Sequence, residues 1–433
     1  MTSEQKELEG FDESPEMEEN EWKEVIFSDV IEINDYPSAE KGEEYKSIGM
    51  SDVAQNVRKI QSWEVKEYSY SRPRFRNGQT LMARITPCLE NGKTAFVDIL
   101  DDDELAIGST EFIVLSDTKE TLPKFVYYTA RRPEIRQFSI KRMTGTSGRQ
   151  RVPLDIFDDK KIKIPPITEQ KKIVEILDAF DSKIEVNNRV NENLEKISKA
   201  LFKSWFVEFE PYDTFKETDL GKIPEDFEVV EFSDISNTEG GGTPDTEEDS
   251  FWGEDILWLT PKEVAPLTSS VAFDSERKLT EKGLKNTSAK VMPKNSTLLY
   301  SRGANMGVSV INKEPMATNQ GFVCVEPDGV PPHFLFHLVT SNRSKIENRA
   351  GGSTYPEISQ TSFNEIQIAI PSSKDRIRRF ENIAAAIYED VYNRVQENVY
   401  LSELRDTLLP KLMSGEIRVN DINLEELEVS SEV

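Results

Sequence analysis

Asn188-Arg189-Val190-Asn191-Glu192-Asn193 returns as Asn393-Arg394-Val395-Gln396-Glu397-Asn398, with five of six residues identical at an offset of 205. Upstream of each copy, Phe157 through Ile164-Pro165 returns as Phe363 through Ile370-Pro371 at an offset of 206. Two agreements at nearly one offset mark a tandem duplication. Each unit reads as a mixed segment of about 150 residues, a proline-marked boundary and a long helical stretch.

The helical stretches follow from spacing. After Pro165-Pro166, Thr168 suits an N-cap and Glu169 the first turn. Apolar residues then step by four and three through Ile173, Leu177, Phe180, Ile184, Leu194, Leu201 and Trp205, with Asn187, Asn191 and Ser198 on the remaining rungs. Beyond Pro371, with Ser373 as cap, the second ladder is Phe380, Ala384, Ile387, Val391, Arg394, Asn398, Leu401, Arg405 and Leu408. Both repeat at 3.5 residues, the coiled-coil period, with polar rungs near mid-helix. The ladders superpose at an offset of 207 and the Asn-Arg-Val box at 205, which leaves the register open by two residues. Two amphipathic core helices would satisfy this pattern. A helix pair between two globular domains satisfies it better, because little loop-like sequence lies beyond the helix ends.

The segments outside the helices read as short strands broken by Gly, Pro and Asn: Thr80 to Ile85, Phe112 to Leu115, Gly307 to Ile311 and Phe322 to Val325. The repeat persists weakly here. Gln79-Thr80-Leu81 ending in Arg84 parallels Ser296-Thr297-Leu298 ending in Arg302, and Gly108 to Phe112 parallels Thr318 to Phe322. The expected fold class is α+β: two mixed α/β domains separated by a pair of long antiparallel coiled-coil-like helices. The expected boundaries are an acidic tail at 1–20, a first domain at 21–166, a central helix at 167–206, a second domain at 207–371, a C-terminal helix at 372–415 and an acidic tail at 416–433. The polar ends, 1–20 and 421–433, are expected to be disordered.

Composition sets further bounds. The chain has 433 residues, enough for two hydrophobic cores, and no run approaches the ~18 apolar residues of a membrane span. The first residues show neither a basic nor an apolar region of a secretory signal, and two cysteines, Cys88 and Cys324, cannot make a disulfide framework. A cytoplasmic protein is expected. The net charge of -26 argues against nucleic acid when taken whole, and keeps proteins soluble at high salt, so a halophilic source is one expectation. Its distribution is uneven: residues 46–165 hold 21 basic and 16 acidic side chains, whereas 206–370 hold 14 and 27. The first domain is basic inside an acidic chain.

Catalytic signatures fail on their own requirements. Gly92-Lys93-Thr94 lacks the earlier glycine of a phosphate loop, where Pro87 stands instead. His333 and His337 have the spacing of a zinc-protease helix, but Phe334 replaces the glutamate, so both read as packed histidines. Gly240-Gly241-Gly242 reads as a turn without a dinucleotide fingerprint, and the Asn-Pro-Pro-aromatic tetrapeptide of adenine methyltransferases is missing. What remains is Lys141-Arg142-Met143-Thr144-Gly145-Thr146-Ser147-Gly148-Arg149-Gln150-Arg151, a glycine-hinged loop of cations and hydroxyls. Such a loop can bring amides to phosphates while Arg and Gln present forks to guanine and adenine edges. Its counterpart, Ala350 to Glu357, keeps glycines and hydroxyls and loses the cations, as expected of two domains with different ligands of one class.

From about residue 22 to 418 the chain resembles the specificity (S) subunit of Type I restriction–modification systems. The likeness is carried by Ile164-Pro165-Pro166-Ile167-Thr168-Glu169-Gln170 entering the first helix, and by Leu201-Phe202-Lys203-Ser204-Trp205-Phe206 with Phe209-Glu210-Pro211 leaving it. Pro87 to Lys93, Gly108 to Phe112 and Gly145 to Val152 are similar to one class of first target-recognition domain. Gly241 to Pro244, Trp258 to Lys262, Ala317 to Phe322 and Gly351 to Ile358 are similar to a second-domain class, and Leu404-Arg405-Asp406 to Glu416 resembles the closing helix. The acidic N-terminal extension and overall charge depart from the pattern.

The resemblance implies a non-catalytic subunit that reads a bipartite, asymmetric site in double-stranded DNA through two domains. It implies docking of two methyltransferase (M) subunits, so that adenine is methylated, and of restriction (R) subunits that cleave unmodified DNA. S-adenosylmethionine and ATP with Mg would belong to those partners, and this chain would carry no cofactor and no metal. The candidate DNA contacts are Arg84, Lys93, Arg142, Thr146, Ser147, Arg149, Gln150 and Arg151 in the first domain, and Lys262, Arg302, Asn319, Gln320, Ser353, Thr354 and Tyr355 in the second. The candidate helix-pairing residues are Ile173, Leu177, Phe180, Ile184, Leu194, Leu201, Phe380, Ile387, Val391, Leu401 and Leu408. An acidic protein-interaction scaffold without a DNA role is the competing reading; a neighbouring methyltransferase gene would separate the two.

Overall fold

Two helices carry the fold, Ile167–Phe206 of 40 residues and Lys374–Ser414 of 41. The computed structural model describes residues 21–419 except 70, 147, 265, 266, 268, 304 and 353–355, so the acidic ends expected to be disordered lie outside the described residues. The chain divides into two units, Met1–Lys183 with Tyr400–Val433 and Ile184–Val399, so each long helix contributes to both. Ser373 directly precedes the second helix and accepts from the Asp375 N–H at 3.4 Å. Thr168 lies one residue inside the first helix instead of capping it.

In unit 1, strand Lys23–Ile26 pairs antiparallel with Lys161–Ile164 and joins the two ends of the mixed segment. One sheet runs in the order Glu32–Ile33, Phe112–Ser116, Thr80–Ala83, Thr94–Phe96. A second runs Glu64–Glu67, Glu44–Ile48, Ala106–Gly108, Arg74–Phe75, its middle pair parallel. Unit 2 repeats the plan. Phe227–Glu231 pairs with Gln367–Pro371, and a sheet runs Ser236–Gly240, Phe322–Pro327, Thr297–Tyr300, Ser309–Asn312, Val271–Ala272. A further sheet runs Trp252–Gly253, Arg277–Leu279, Ile256–Leu259, Met316–Thr318, again with one parallel pair. The duplication seen in the helices therefore extends through both sheets.

Each unit closes its core with both long helices. In unit 1, Ile173, Ile176 and Leu177 share a cluster with Leu409, Leu412 and Met413. In unit 2, Phe202 and Phe206 set their rings edge-on to Phe380, and Phe206 meets Phe334 at 5.1 Å. Of the expected pairing residues, Ile173, Leu177, Phe380 and Val391 are buried. Phe180, Ile184, Leu194, Leu201, Ile387, Leu401 and Leu408 are only half-buried, and Ser198, Phe202, Phe206, Tyr388 and Leu409 lie deeper. A straight α-helix advances 3.6 residues per turn, so a ladder drawn at 3.5 drifts off the facing line. The chain compensates with four-residue steps such as 198, 202 and 206.

The polar rungs set the register. Asn187 Nδ2 donates to Asn398 Oδ1 at 2.9 Å and to Glu397 Oε2 at 2.7 Å, while Asn398 Nδ2 donates to Asn188 Oδ1 at 2.8 Å. The two copies of the repeated box thus meet across antiparallel helices. In unit 1 the buried Arg405 Nη1 donates to Asp181 Oδ1 at 2.5 Å, and the Tyr128 hydroxyl donates to Asp181 Oδ2 at 2.9 Å. Asn191 differs: it is fully buried, and neither side-chain polar atom has a partner among the described residues.

Two stability predictions follow from this geometry. Replacing Asn187 with Leu should cost about 1–3 kcal/mol, because the half-buried Asn398 Oδ1 loses its donor, whereas Asn191→Leu should be neutral or stabilising by about 1 kcal/mol. Urea melts that rank the two variants the other way would contradict the assigned partners. The second concerns His337, buried in helix Pro332–Ser341, with Nε2 2.8 Å from Ser198 Oγ. Burial first, and the neighbouring His333 second, push its pKa down to about 3. Between that value and its ordinary ~6.5 the unfolded chain binds the extra proton, so this group makes stability fall with decreasing pH, by roughly 1.4 kcal/mol per unit below 6.5. His337→Gln should flatten the melting temperature against pH between 6.5 and 5; an unchanged slope would show that His337 is not buried in its neutral form.

Candidate nucleic-acid interface

The cationic loop is closed by backbone bonds. Helix Pro133–Lys141 ends at Arg142, and Thr144 and Arg151 then exchange N–H···O bonds of 2.9 and 2.8 Å. The Thr86 N–H donates to the Gln150 carbonyl at 3.0 Å, and the Val152 N–H to the Arg84 carbonyl at 2.9 Å. Gly145 and Gly148 take positive φ of 124° and 80°, which side chains rarely adopt, so glycine is what these two turn positions require. Arg142, Thr146 and Arg149 are exposed on this loop, Gln150 is half-buried, and Ser147 lies outside the described residues. The Arg142 guanidinium stands 3.8 Å over the Phe138 ring, which Lys160 also approaches at 4.9 Å. Arg149 has no side-chain partner among the described residues.

The other candidate cations of unit 1, Arg151, Arg84 and Lys93, are engaged. Arg151 forks onto Glu111, with Nε 3.0 and 2.9 Å from the two carboxylate oxygens and Nη2 2.6 Å from Oε1. Those hydrogen bonds raise its already high pKa. Arg84 Nη2 donates to the Val152 carbonyl at 2.8 Å, and Lys93 Nζ to the Met50 carbonyl at 2.7 Å. Both serve the frame around the loop.

Unit 2 builds the same hairpin. Gly351 and Glu357 exchange bonds of 3.0 and 2.9 Å, the Gly303 N–H donates to the Pro356 carbonyl at 3.1 Å, and the Ile358 N–H to the Ser301 carbonyl at 2.9 Å. These bonds match those of unit 1 one for one. They align Glu357 with Arg151, Arg302 with Ile85, and Ser301 with Arg84. The expected parallel of Arg84 with Arg302 is therefore wrong by one residue, a slip that sends a strand side chain to the opposite face. Beside this hairpin, Gln320 Oε1 accepts from the Thr243 hydroxyl at 2.5 Å and Asn319 Oδ1 from the Gly321 N–H at 2.8 Å. Arg302 Nη2 reaches the Gln320 carbonyl and lies 3.4 Å from Glu357 Oε1. Lys262 is exposed on helix Pro261–Val264, whose first residue, Pro261, packs against Gly321. Lys262, Arg302, Asn319 and Gln320 are thus brought to one place, while Ser353, Thr354 and Tyr355 lie outside the described residues.

Three participants escaped the sequence reading. Glu111 was visible within Gly108 to Phe112, but its bond to Arg151 spans 40 positions. Phe138 and Lys160 carry no motif. The Gly240-Gly241-Gly242 run is also more than a turn, since Gly240 ends an edge strand and a Cβ on Gly241 would run into the Asn319 carbonyl. Among the described residues no group of three His, Cys, Asp or Glu could hold a metal ion, and no helix is long and apolar enough to cross a membrane.

Comparison with known proteins agrees with this duplicated plan. The family model described as the Type I restriction modification DNA specificity domain matches twice, at residues 19–196 and 224–396. The chain is similar to the MjaIX specificity subunit of Methanocaldococcus jannaschii, 36% identical over 203 residues that span 46% of each chain, so the match covers about half of that relative. It is 25% identical to the HindI specificity subunit of Haemophilus influenzae over 92% of this chain and all of that one. Its fold is like that of the crystal structure of the Type I restriction–modification S subunit from M. genitalium, with a TM-score of 0.54, 16% identity, and 92% and 97% of the two chains covered.

One prediction tests the close approach in unit 2. Gly241→Ala should destabilise unit 2 by about 1–3 kcal/mol and displace Asn319 and Gln320, since backbone, not a flexible side chain, stands in the way. A melting temperature equal to the parent's would show that the strand is free to move there.

Proposed function

The chain belongs to the Type I restriction–modification DNA specificity family, and from that premise we propose that it is the sequence-reading, non-catalytic subunit of a Type I complex. Each unit reads one half of a bipartite, asymmetric site in duplex DNA through its hairpin loop and the adjoining strand ends. The observation that supports this is the pair of hairpins, bonded alike in both units and different in their side chains. A duplicated frame with divergent polar loops suits two readers of one ligand class. In the first domain the reading groups are Arg142, Thr146, Arg149 and Gln150, with Arg84, Lys93 and Arg151 at the loop base. In the second they are Lys262, Asn319 and Gln320, with Arg302 at the loop base and Ser353, Thr354 and Tyr355 next in sequence after Gly352.

The remaining parts of the reading concern the assembly. The chain works in the cytoplasm and docks two methyltransferase subunits, which use S-adenosylmethionine to methylate adenine, and restriction subunits, which use ATP and Mg. The reading domains are 21–166 and 207–371, and the length of the two helices sets the gap between half-sites.

Mapping methylated adenines tests the proposal. Exchanging residues 221–370 for those of a relative should change one half of the methylated site and leave the other intact. Arg149→Ala should weaken binding of the assembled methyltransferase by the ~1–3 kcal/mol that a lost bidentate base contact costs. A change in both halves, or unaltered affinity for Arg149→Ala, would count against independent readers or against this loop.

A further inference from the structure

The loop base carries opposite charges in the two units. At position 151 of unit 1 stands an arginine, held by Glu111 from the adjoining strand end. At the equivalent position of unit 2 stands Glu357, faced by Arg302 from its own strand end. In both, the residue closes the hairpin with its backbone and forms a cross-strand ion pair with its side chain. The residue at the loop base has changed sign, and its partner comes from a different strand end: Glu111 stands just before Phe112–Ser116, and Arg302 just after Thr297–Tyr300.

We infer that this ion pair is a clamp that presets the loop, and that Glu111 and Arg151 in unit 1, like Arg302 and Glu357 in unit 2, are positioning residues and not readers of DNA. The inference rests on the reading of the hairpins as the DNA interface. A reader has to keep its own donors or acceptors, because a base edge offers a fixed pattern. A clamp only has to face its opposite, and sign reversal leaves it intact. The geometry in unit 1 is that of a clamp: Arg151 uses Nε and Nη2 on the carboxylate, the forked arrangement in which a partly exposed ion pair retains strength. Forked contact with a guanine through Nε and Nη2 would require that pair to open, and only Nη1 and one Nη2 hydrogen are left over. Arg149, two residues earlier and unpartnered among the described residues, needs no such step.

The chain offers a second reason for a clamp. Gly145 and Gly148 give the loop the freedom to turn, and that freedom is lost on binding at an entropic cost. An ion pair at the loop base lowers this cost before DNA arrives. Removing the Glu111 charge should therefore weaken specific binding, although simple electrostatics predicts the reverse for an acid beside DNA.

The experiment uses the full chain assembled with its methyltransferase subunits, and measures affinity for duplexes with and without the methylated site across a salt series. Glu111→Gln should lower the ratio of specific to non-specific affinity by about three- to ten-fold. Arg151→Glu alone and Glu111→Arg alone should each lower it about ten-fold or more, because like charges then face each other. The double exchange, Glu111→Arg with Arg151→Glu, should recover to within about three-fold of the parent, methylate the same sequence and keep the same salt slope. Thermal melts of each assembly confirm folding. If the double exchange stays as impaired as Arg151→Glu, methylates a different base, or loses about one unit of salt slope, Arg151 touches DNA and the clamp is refuted while the loop remains the interface. If Arg149→Ala and all the charge variants bind as the parent does, the hairpin is not the interface, and the clamp falls with it.

Discussion

Asn398 bonds to Asn187 and to Asn188, and through them two helices separated by some 170 residues of intervening chain take one register. Much else hangs on that pairing, because neither unit has a complete core without it. Unit 1 needs Leu409, Leu412 and Met413 from the chain's end against Ile173 and Leu177. Unit 2 needs Phe380 against Phe202 and Phe206. Apolar contacts supply most of the stabilisation but discriminate poorly among registers, since one leucine rung looks like the next. Amides and the buried Arg405–Asp181 pair discriminate strongly, because a slip by one rung would bury them unpaired.

What could be read from the sequence follows the same division. Features written in a single stretch were legible: the repeated box, the helix ladders, and the hairpin with its glycines. The depth of each rung was not, because Leu201 and Phe202 are neighbours and only the helix's true pitch decides which faces the partner. Asp181 was passed over, since a carboxylate reads as surface until Arg405 and Tyr128 are seen to enclose it. The slip between Arg84 and Arg302 has a similar origin. Matching arginine to arginine ignored that strand residues alternate faces, and only the backbone bonds to Val152 and Ile358 reveal the true correspondence. Glu111 was out of reach for the plainest reason, as contacts distant in sequence leave no local pattern.

The hairpins show how the frame and the reading surface are kept apart. Four backbone bonds recur in both units, and backbone bonds do not depend on side-chain identity. The sequences between the closing pairs can therefore differ without loss of these backbone bonds. Gly241 marks the limit of that freedom: its backbone is pressed against Asn319, so this edge of the second reading surface is set by packing and not by loop sequence. Variation belongs to the loops, and constraint to the strand ends beneath them.

The charge of the chain bears on how such a surface could read DNA. A protein of net charge -26 gains little from long-range attraction to phosphates, and the excess of five basic side chains in residues 46–165 is small beside the 13 surplus acids in residues 206–370. Affinity built on many phosphate contacts falls steeply with salt, while affinity built on a few forked contacts to base edges falls slowly. The loop of unit 1 presents Arg142 over the Phe138 ring, Arg149 without a side-chain partner among the described residues, and Gln150, and the surface of unit 2 presents Asn319 and Gln320 beside Lys262 and Arg302. Both combine a few cations with amide groups that pair in defined patterns. On the proposed reading, acidity suppresses binding to arbitrary sequence, and the few forked groups make binding conditional on the right bases.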